Sequence, residues 1–437
     1  MIAVLNERKV RAAETAEVRD AIGTARKAQR DWAQVPIRDR AKRVGRLRAV
    51  IARSAGQLAE AAALVSQRPI GEKLTSEVLP LLESARFLAR EAPGILRTAR
   101  FGSRGRPLWL HGSSFEIQRK PFGVVLIVGP ANYPLFIPIV QMLHALVAGN
   151  AVAIKPAENA TAPVAFFAEE ILRRSAIPES LVQILPETVE AASDAARFGV
   201  DKAIFTGSSE NGRDFLAVLA KTNTPSVMEL SGADAVFVRA DADVMLAAKA
   251  IAFGLRLNAG NTCMAPHLIV VHHAIARELT AALRPLGVRR TDLCQVRDDS
   301  EALDIVAFEE HGLGAAIFSR SERDARAFAD RLATGFVTIN DIIVPTADPR
   351  FPFGGIRGSG FGVTRGAEGL LEMTYPRPVA IRRARFLPHL DELQESDVEL
   401  FTTFISTVHG RGLRRRGLSL WKLLRAGRRR MRNAKQQ

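Results

Sequence analysis

Two cysteines, Cys263 and Cys294, are all that 437 residues contain. They are far apart and neither belongs to a CxxC pair, which excludes a disulfide framework and a cysteine-built zinc cluster and fits a reducing compartment. Long apolar runs are absent as well. None reaches the length of a membrane span, and the N-terminus, MIAVLNERKVRAAE, meets its charges before any apolar core forms. A cytoplasmic chain without a cleaved signal is the expectation.

Acidic residues are missing from one region. Residues 411 to 437 hold eleven Arg or Lys and no Asp or Glu, so of the net +15 the other 410 residues carry only 15 − 11 = +4. A basic tail on a near-neutral body differs from a basic groove built into a fold. In that tail Leu418, Trp421, Leu424 and Arg425 fall at helical spacing, which sets an apolar stripe beside clustered arginines and suits a short helix lying on an anionic membrane surface. A solvated, disordered tail is an equal reading. RNA binding ranks third, since the tail has few aromatic residues for stacking, and nucleic acid is not the expected partner.

What the chain has is apolar residue, 47% of the total, enough for two or three compact units. The first hundred residues, as in VGRLRAVIARSAGQLAEAAALV (44–65), read as amphipathic helices. PLWLHGSSFEIQRKPFG, from Pro107, alternates and reads as a short antiparallel pair. FGVVLIV (122–128) is a strand buried on both faces, followed by a helix (135–147), a strand (151–154), a helix (163–175) and strands at 181–185 and 202–205. That alternation is a doubly wound parallel sheet, in which ligands bind beyond the carboxyl ends of the strands. A second α/β pattern follows: strands at 268–271, 313–318 and 335–339, with helices at 274–283 and 322–332. The fold class is therefore α/β: a Rossmann-like domain, a second α/β domain and a small β element.

The segments after the strands are GPANYP (129–134), KPAEN (155–159) and FTGSSENG (205–212). Gly207 and Gly212 frame a strand-to-helix turn whose amides suit phosphate, although a lone GxxxxG is usually only a turn. Asn132 by itself is an ordinary turn former, Glu229 a strand-end carboxylate, Lys155 a solvated charge, and Cys263 in NAGNTCMAP (258–266) a small buried side chain.

Six segments in order change those readings. PFGVVLIVGPANYPL, GNAVAIKPAE, FTGSSENG, VMELSG, NAGNTC and the glycine-rich PFGGIRGSGFG make the chain, over about residues 10 to 385, resemble the aldehyde dehydrogenase superfamily. The resemblance implies Cys263 as nucleophile, Asn132 as oxyanion donor together with the Cys263 backbone N–H, and Glu229 as general base. It also implies cofactor contacts by Lys155, Glu158, Gly207, Ser208, Pro130 and Gly212, with NAD preferred over NADP because Glu158 repels a 2′-phosphate. The domains it implies are cofactor binding (1–106 and 123–230), catalysis (231–372), an oligomerisation hairpin and strand (107–122 and 373–385) and the tail (386–437), with a homodimer as the assembly. By analogy the substrate is an apolar aldehyde, fatty or apocarotenoid-like, oxidised to the acid.

The chain also departs from that family. Only a short polar stretch joins LIVVHHAI to EEHGLGAAIF, without the family's EEIFGP segment, for which Glu309 and Glu310 do not substitute. SGA (231–233) stands for the usual GGK, and Arg357 for a loop lysine. Two further readings stay open: an impaired homologue that binds nucleotide or acts as a membrane-associated binding protein, and a reductase of acyl thioesters.

Overall fold

Five consecutive residues, Val124–Val128, are buried on both faces, and their β-branched side chains fix the centre of a six-stranded sheet. The computed structural model describes residues 2–110, 112–288, 293–307, 309–383, 390, 392–410 and 420–428. In sheet order the strands are Gly360–Phe361, Ser226–Glu229, Lys202–Thr206, Val124–Val128, Ala151–Lys155 and Val182–Ile184. All pair in parallel except Gly360–Phe361, which runs antiparallel with Gly360 opposite Glu229. Because the chain builds outward from Val124–Val128 first to one side and then to the other, a crevice opens beyond that strand and Lys202–Thr206.

Helix Phe136–Ala148, apolar on almost every face, is correspondingly buried almost throughout. Helix Ile37–Arg53 buries Ala41, Val44, Leu47, Val50 and Ile51 at helical spacing, and it packs closely on Leu79–Ile95 because Gly45 faces Ala89. A second sheet is wholly parallel, in the order Leu293–Val296, Leu268–His272, Ala235–Val238, Gly314–Phe318 and Phe336–Ile339. Each sheet has its own apolar core.

Several local expectations are corrected. The stretch between His272 and Glu309 is not a bare linker: it holds strand Leu293–Val296 and helix Asp299–Ala307. Strand Ala235–Val238 carries no signal of its own in the sequence, since a four-residue apolar run offers no periodicity to read. The helix placed at 163–175 is α-helical only over Thr161–Phe166 and continues as a π-helix through Phe167–Leu172. In place of an antiparallel pair within 107–122, a 3-10 turn (Leu108–Leu110) leads into one strand, Ser113–Pro121, in the middle of a three-stranded sheet with Ala99–Phe101 and Thr374–Arg382.

The chain divides into two compact units, one running to Ala99 and taking in Ile117–Val379, the other joining Arg100–Glu116 to the residues from Ala380 on. Both large sheets lie in the first. In the second, Trp109 meets Phe404 edge-on at 5.9 Å, while helix Ser396–His409 leaves Val398, Phe401 and Ile405 exposed. Residues 420–428 are helical, with Leu420, Trp421 and Leu424 exposed and Arg425 over the Trp421 ring; Leu418 lies outside the described residues. Among the described residues no helix is long and apolar enough to cross a membrane.

Candidate active site

The loop carrying Cys263 begins where helix Val244–Arg256 ends, and Asn258, Ala259 and Gly260 all take left-handed backbone angles (φ 51°, 54° and 80°). For the two non-glycine residues this is a strained state, which persists only when the surroundings over-determine it. Here they do. The Asn258 N–H donates to Glu72 (3.0 Å), its amide donates to the Asn132 carbonyl (2.9 Å), and its side-chain oxygen accepts from the Lys73 ammonium (3.3 Å). Lys73 also pairs with Glu77 at 2.9 Å, both fully buried, and Glu77 accepts the N–H groups of Leu135 and Phe136, where helix Phe136–Ala148 starts.

Two more bonds stitch the loop to the segment after strand Val124–Val128. The Asn132 amide donates to the Asn261 carbonyl (2.8 Å), and the hydroxyls of Tyr133 and Thr262 lie 2.8 Å apart. A methyl group on Gly232 would stand 2.5 Å from the Cys263 carbonyl, so this glycine is what lets the loop approach the sheet.

Cys263 belongs to the walls of two cavities. One, of about 780 Å³, is mainly apolar, with Leu79, Phe136, Ile137, Phe253, Val344 and Phe353 in its lining. The other, of about 610 Å³, is more polar and brings Cys263 together with Asn132, Glu229, Pro130, Gly207 and Ser208. All three expected catalytic residues therefore face one cavity. Lys155, Glu158 and Gly212 are not in its wall.

Glu229 ends strand Ser226–Glu229 and is buried. Desolvation raises its pKa, while hydrogen bonds from Thr364 (2.6 Å), Thr206 (3.0 Å) and Gln141 (3.2 Å), together with the charge of Arg365, pull it back. Burial likewise pushes the Cys263 thiol up to about 12, with Asp234 and Glu229 adding to the rise and Arg365 opposing it. Asp234 is itself raised to about 7 by burial; one of its oxygens accepts the Gly314 N–H (3.0 Å) and the other has no partner.

Three of the expected cofactor residues stand where helix Ser209–Thr222 begins. Ser208 caps that helix by accepting the Asn211 N–H, and the Gly207 N–H donates to the Glu229 carbonyl. Gly212 lies against Leu230, where a methyl group would come within 2.4 Å. A 14-residue helix starting beyond a parallel strand, its N-terminus beside the polar cavity, fits a pyrophosphate. Lys155, at the end of strand Ala151–Lys155, is buried, which lowers its pKa against the opposing pull of Glu187, Glu158 and Glu190; Glu158 is exposed. An exposed carboxylate next to a buried ammonium suits neutral ribose hydroxyls.

The family model described as "Aldehyde dehydrogenase family" matches residues 6–286 and 292–379. The chain belongs to the aldehyde dehydrogenase family. It is an NAD(P)-dependent oxidoreductase acting on the aldehyde group. The 4,4'-diapolycopene aldehyde oxidase of Methylomonas sp. is 27% identical over 458 residues, covering 88% of this chain and 86% of that one. The mouse "Aldehyde dehydrogenase, dimeric NADP-preferring" is 25% identical over 342 residues, 62% of this chain and 74% of that one. Among solved structures, a putative aldehyde dehydrogenase from Burkholderia cenocepacia superposes with a TM-score of 0.80 at 23% identity, covering 86% of this chain and 92% of the other. At that identity the likeness establishes the fold.

Several residues of this aldehyde dehydrogenase escaped the sequence reading. Gln141, Thr206 and Thr364 reach Glu229 from three separate segments, and no spacing rule joins them. Lys73 and Glu77 stand four apart on a helical stretch, a spacing that solvated surface pairs share, so nothing in the sequence marks this pair as buried. Arg365 has one faint sign, its place just beyond the glycine-rich loop.

Proposed function

We propose that this aldehyde dehydrogenase oxidises an apolar aldehyde, fatty or apocarotenoid-like, to the carboxylic acid with NAD+, through a covalent adduct on Cys263. The observation that carries the proposal is the position of Cys263 in the walls of an apolar cavity and of a polar one shared with Asn132 and Glu229. The Cys263 thiolate attacks the aldehyde carbon and forms a thiohemiacetal. Its oxyanion meets the Cys263 backbone N–H and the Asn132 N–H that Asn261 leaves free. A bound nicotinamide cofactor supplies the hydride acceptor, so that the adduct becomes a thioester. Glu229, its pKa raised by burial, then takes a proton from the attacking water; the carbon–sulfur bond breaks and the acid leaves.

On this reading residues 1–106 and 123–230 bind the cofactor and 231–372 carry the chemistry. Gly207, Ser208 and Gly212 form the turn beside the pyrophosphate, Pro130 contacts the cofactor from the segment after strand Val124–Val128, and Lys155 and Glu158 hold the adenine ribose. Glu158, exposed and anionic, disfavours a 2′-phosphate, which supports NAD over NADP. Two relatives act, by their names, on long apolar aldehydes: the Methylomonas oxidase and the 4,4'-diaponeurosporen-aldehyde dehydrogenase of Staphylococcus aureus, 23% identical over 384 residues. The apolar lining of the larger cavity supports the same class.

The assembly proposed is a homodimer formed through strands Ser113–Pro121 and Thr374–Arg382, checked by light scattering. The basic tail, with exposed Trp421 and Leu424, is proposed to touch anionic membrane, and equal liposome pelleting with and without residues 411–437 would end that idea. The test of the activity is NADH formation from aldehydes of increasing chain length by the full chain and by Cys263→Ala. Formation that favours long apolar aldehydes and vanishes in the variant is expected. NADH consumed with acyl-CoA, and none formed from aldehydes, would point instead to the reductase.

A further inference from the structure

Arg365 is 5% exposed, yet among the described residues it forms no ion pair with a carboxylate. One guanidinium nitrogen donates to the Thr346 carbonyl (2.6 Å), Nε has no partner, and the group lies over the rings of Phe353 (4.4 Å) and Phe136 (5.6 Å). Its backbone has a positive φ with an extended ψ (62° and 173°), a strained state for a residue other than glycine. A buried cation held in that way, without a carboxylate partner, is costly unless an anion compensates it. Arg365, Phe136 and Phe353 line the apolar cavity on which Cys263 opens.

We infer that Arg365 is the positioning residue that supplies the positive charge for a single negative charge shared between Cys263 and Glu229. With the thiol protonated the negative charge sits on Glu229; with Glu229 protonated it sits on sulfur. In either state the pair carries one negative charge opposite the guanidinium, so moving the proton between the two groups leaves the local charge unchanged. The guanidinium acts electrostatically on both groups, lowering each pKa. Two other cations line the apolar cavity, but Arg68 is paired with Glu72 at 2.8 Å and Arg256 is exposed to solvent. Asp234 is acidic and opposes a thiolate; Tyr133 holds its proton, its pKa pushed up chiefly by burial; and His144 is buried and neutral, pushed down to about 4. Lys73 lies behind the loop, already paired with Glu77.

This inference rests on Cys263 being the nucleophile, and its test reads ionisation without any turnover. In a Cys294→Ser background, so that one thiol reports, the rate of alkylation by iodoacetamide is followed against pH for Arg365, Arg365→Lys and Arg365→Gln. The expected result is a midpoint raised by about one pH unit in Arg365→Gln, with alkylation roughly tenfold slower below it, and a profile close to the parent's in Arg365→Lys. Superimposable profiles for Arg365 and Arg365→Gln would overturn the inference. If circular dichroism shows Arg365→Gln unfolded, Glu229→Gln serves: with the competing anion gone the guanidinium attends sulfur alone, and the midpoint falls, whereas an unmoved midpoint contradicts a shared charge. Loss of turnover in Cys263→Ala addresses the nucleophile separately.

Discussion

Thr364 donates to Glu229 Oε1 at 2.6 Å, the shortest of the three side-chain hydrogen bonds that this buried carboxylate accepts. Thr364 follows the glycine-rich loop and Glu229 ends a strand 135 residues earlier, so the bond ties the loop to the proposed base.

Because that bond favours the charged carboxylate, Thr364→Val removes a stabilising contact and leaves desolvation less opposed. The acid limb of the thioester-hydrolysis profile should then move to higher pH, by about half to one unit. Stopped-flow deacylation across pH checks it, and an unmoved limb would show that the bond does not tune the base.

Glu229 and Asp234 both have folded-state pKa values above their unfolded ones, so each binds its proton more tightly in the folded protein. The stability they contribute is present below the unfolded pKa and is lost as pH rises through the folded one. For Asp234 the window runs from about 3.8 to about 7. Asp234→Asn should therefore melt at higher temperature than the parent above pH 7 and lose that advantage below pH 4, with the gap on the order of 4 kcal/mol. Asp234 also opposes the Cys263 thiolate, so the same variant should be alkylated faster at neutral pH. Identical melting curves at every pH would contradict the assignment.

Lys73→Met leaves Glu77 buried without its ammonium and takes one contact from Asn258. Breaking a buried pair from one side costs about 3 to 5 kcal/mol. The strained turn at Asn258 also loses part of what holds it, so turnover should fall beyond the loss of folded protein. Thermal melts and kcat per folded molecule separate the two effects; a folded variant with full kcat would show that the pair serves stability alone.

The sheets were legible because Val124–Val128 and Ala151–Lys155 are buried runs bounded by glycine and proline, a pattern with a single structural solution. Strand Leu293–Val296 escaped because it is short, sits at a sheet edge and is only partly buried, so a mixed sequence suffices there. The π-helical turn at Phe167–Leu172 escaped because one added residue per turn does not alter a broad apolar stripe. Of the candidate site, the groups lying just beyond strands or in glycine-rich loops could be read. Those that work through a partner could not: whether Arg365 is a surface charge or a buried one depends on Phe136 and Phe353, more than two hundred and about a dozen residues away in sequence.

The most direct test of the central claim is mass spectrometry of Glu229→Gln after one turnover with an apolar aldehyde and NAD+. Without its base the protein should stall as the thioester, and the peptide containing Cys263 should carry the acyl group while Cys294 stays unmodified. NADH released in a full burst with Cys263 unmodified at every time point would contradict a covalent route through that sulfur.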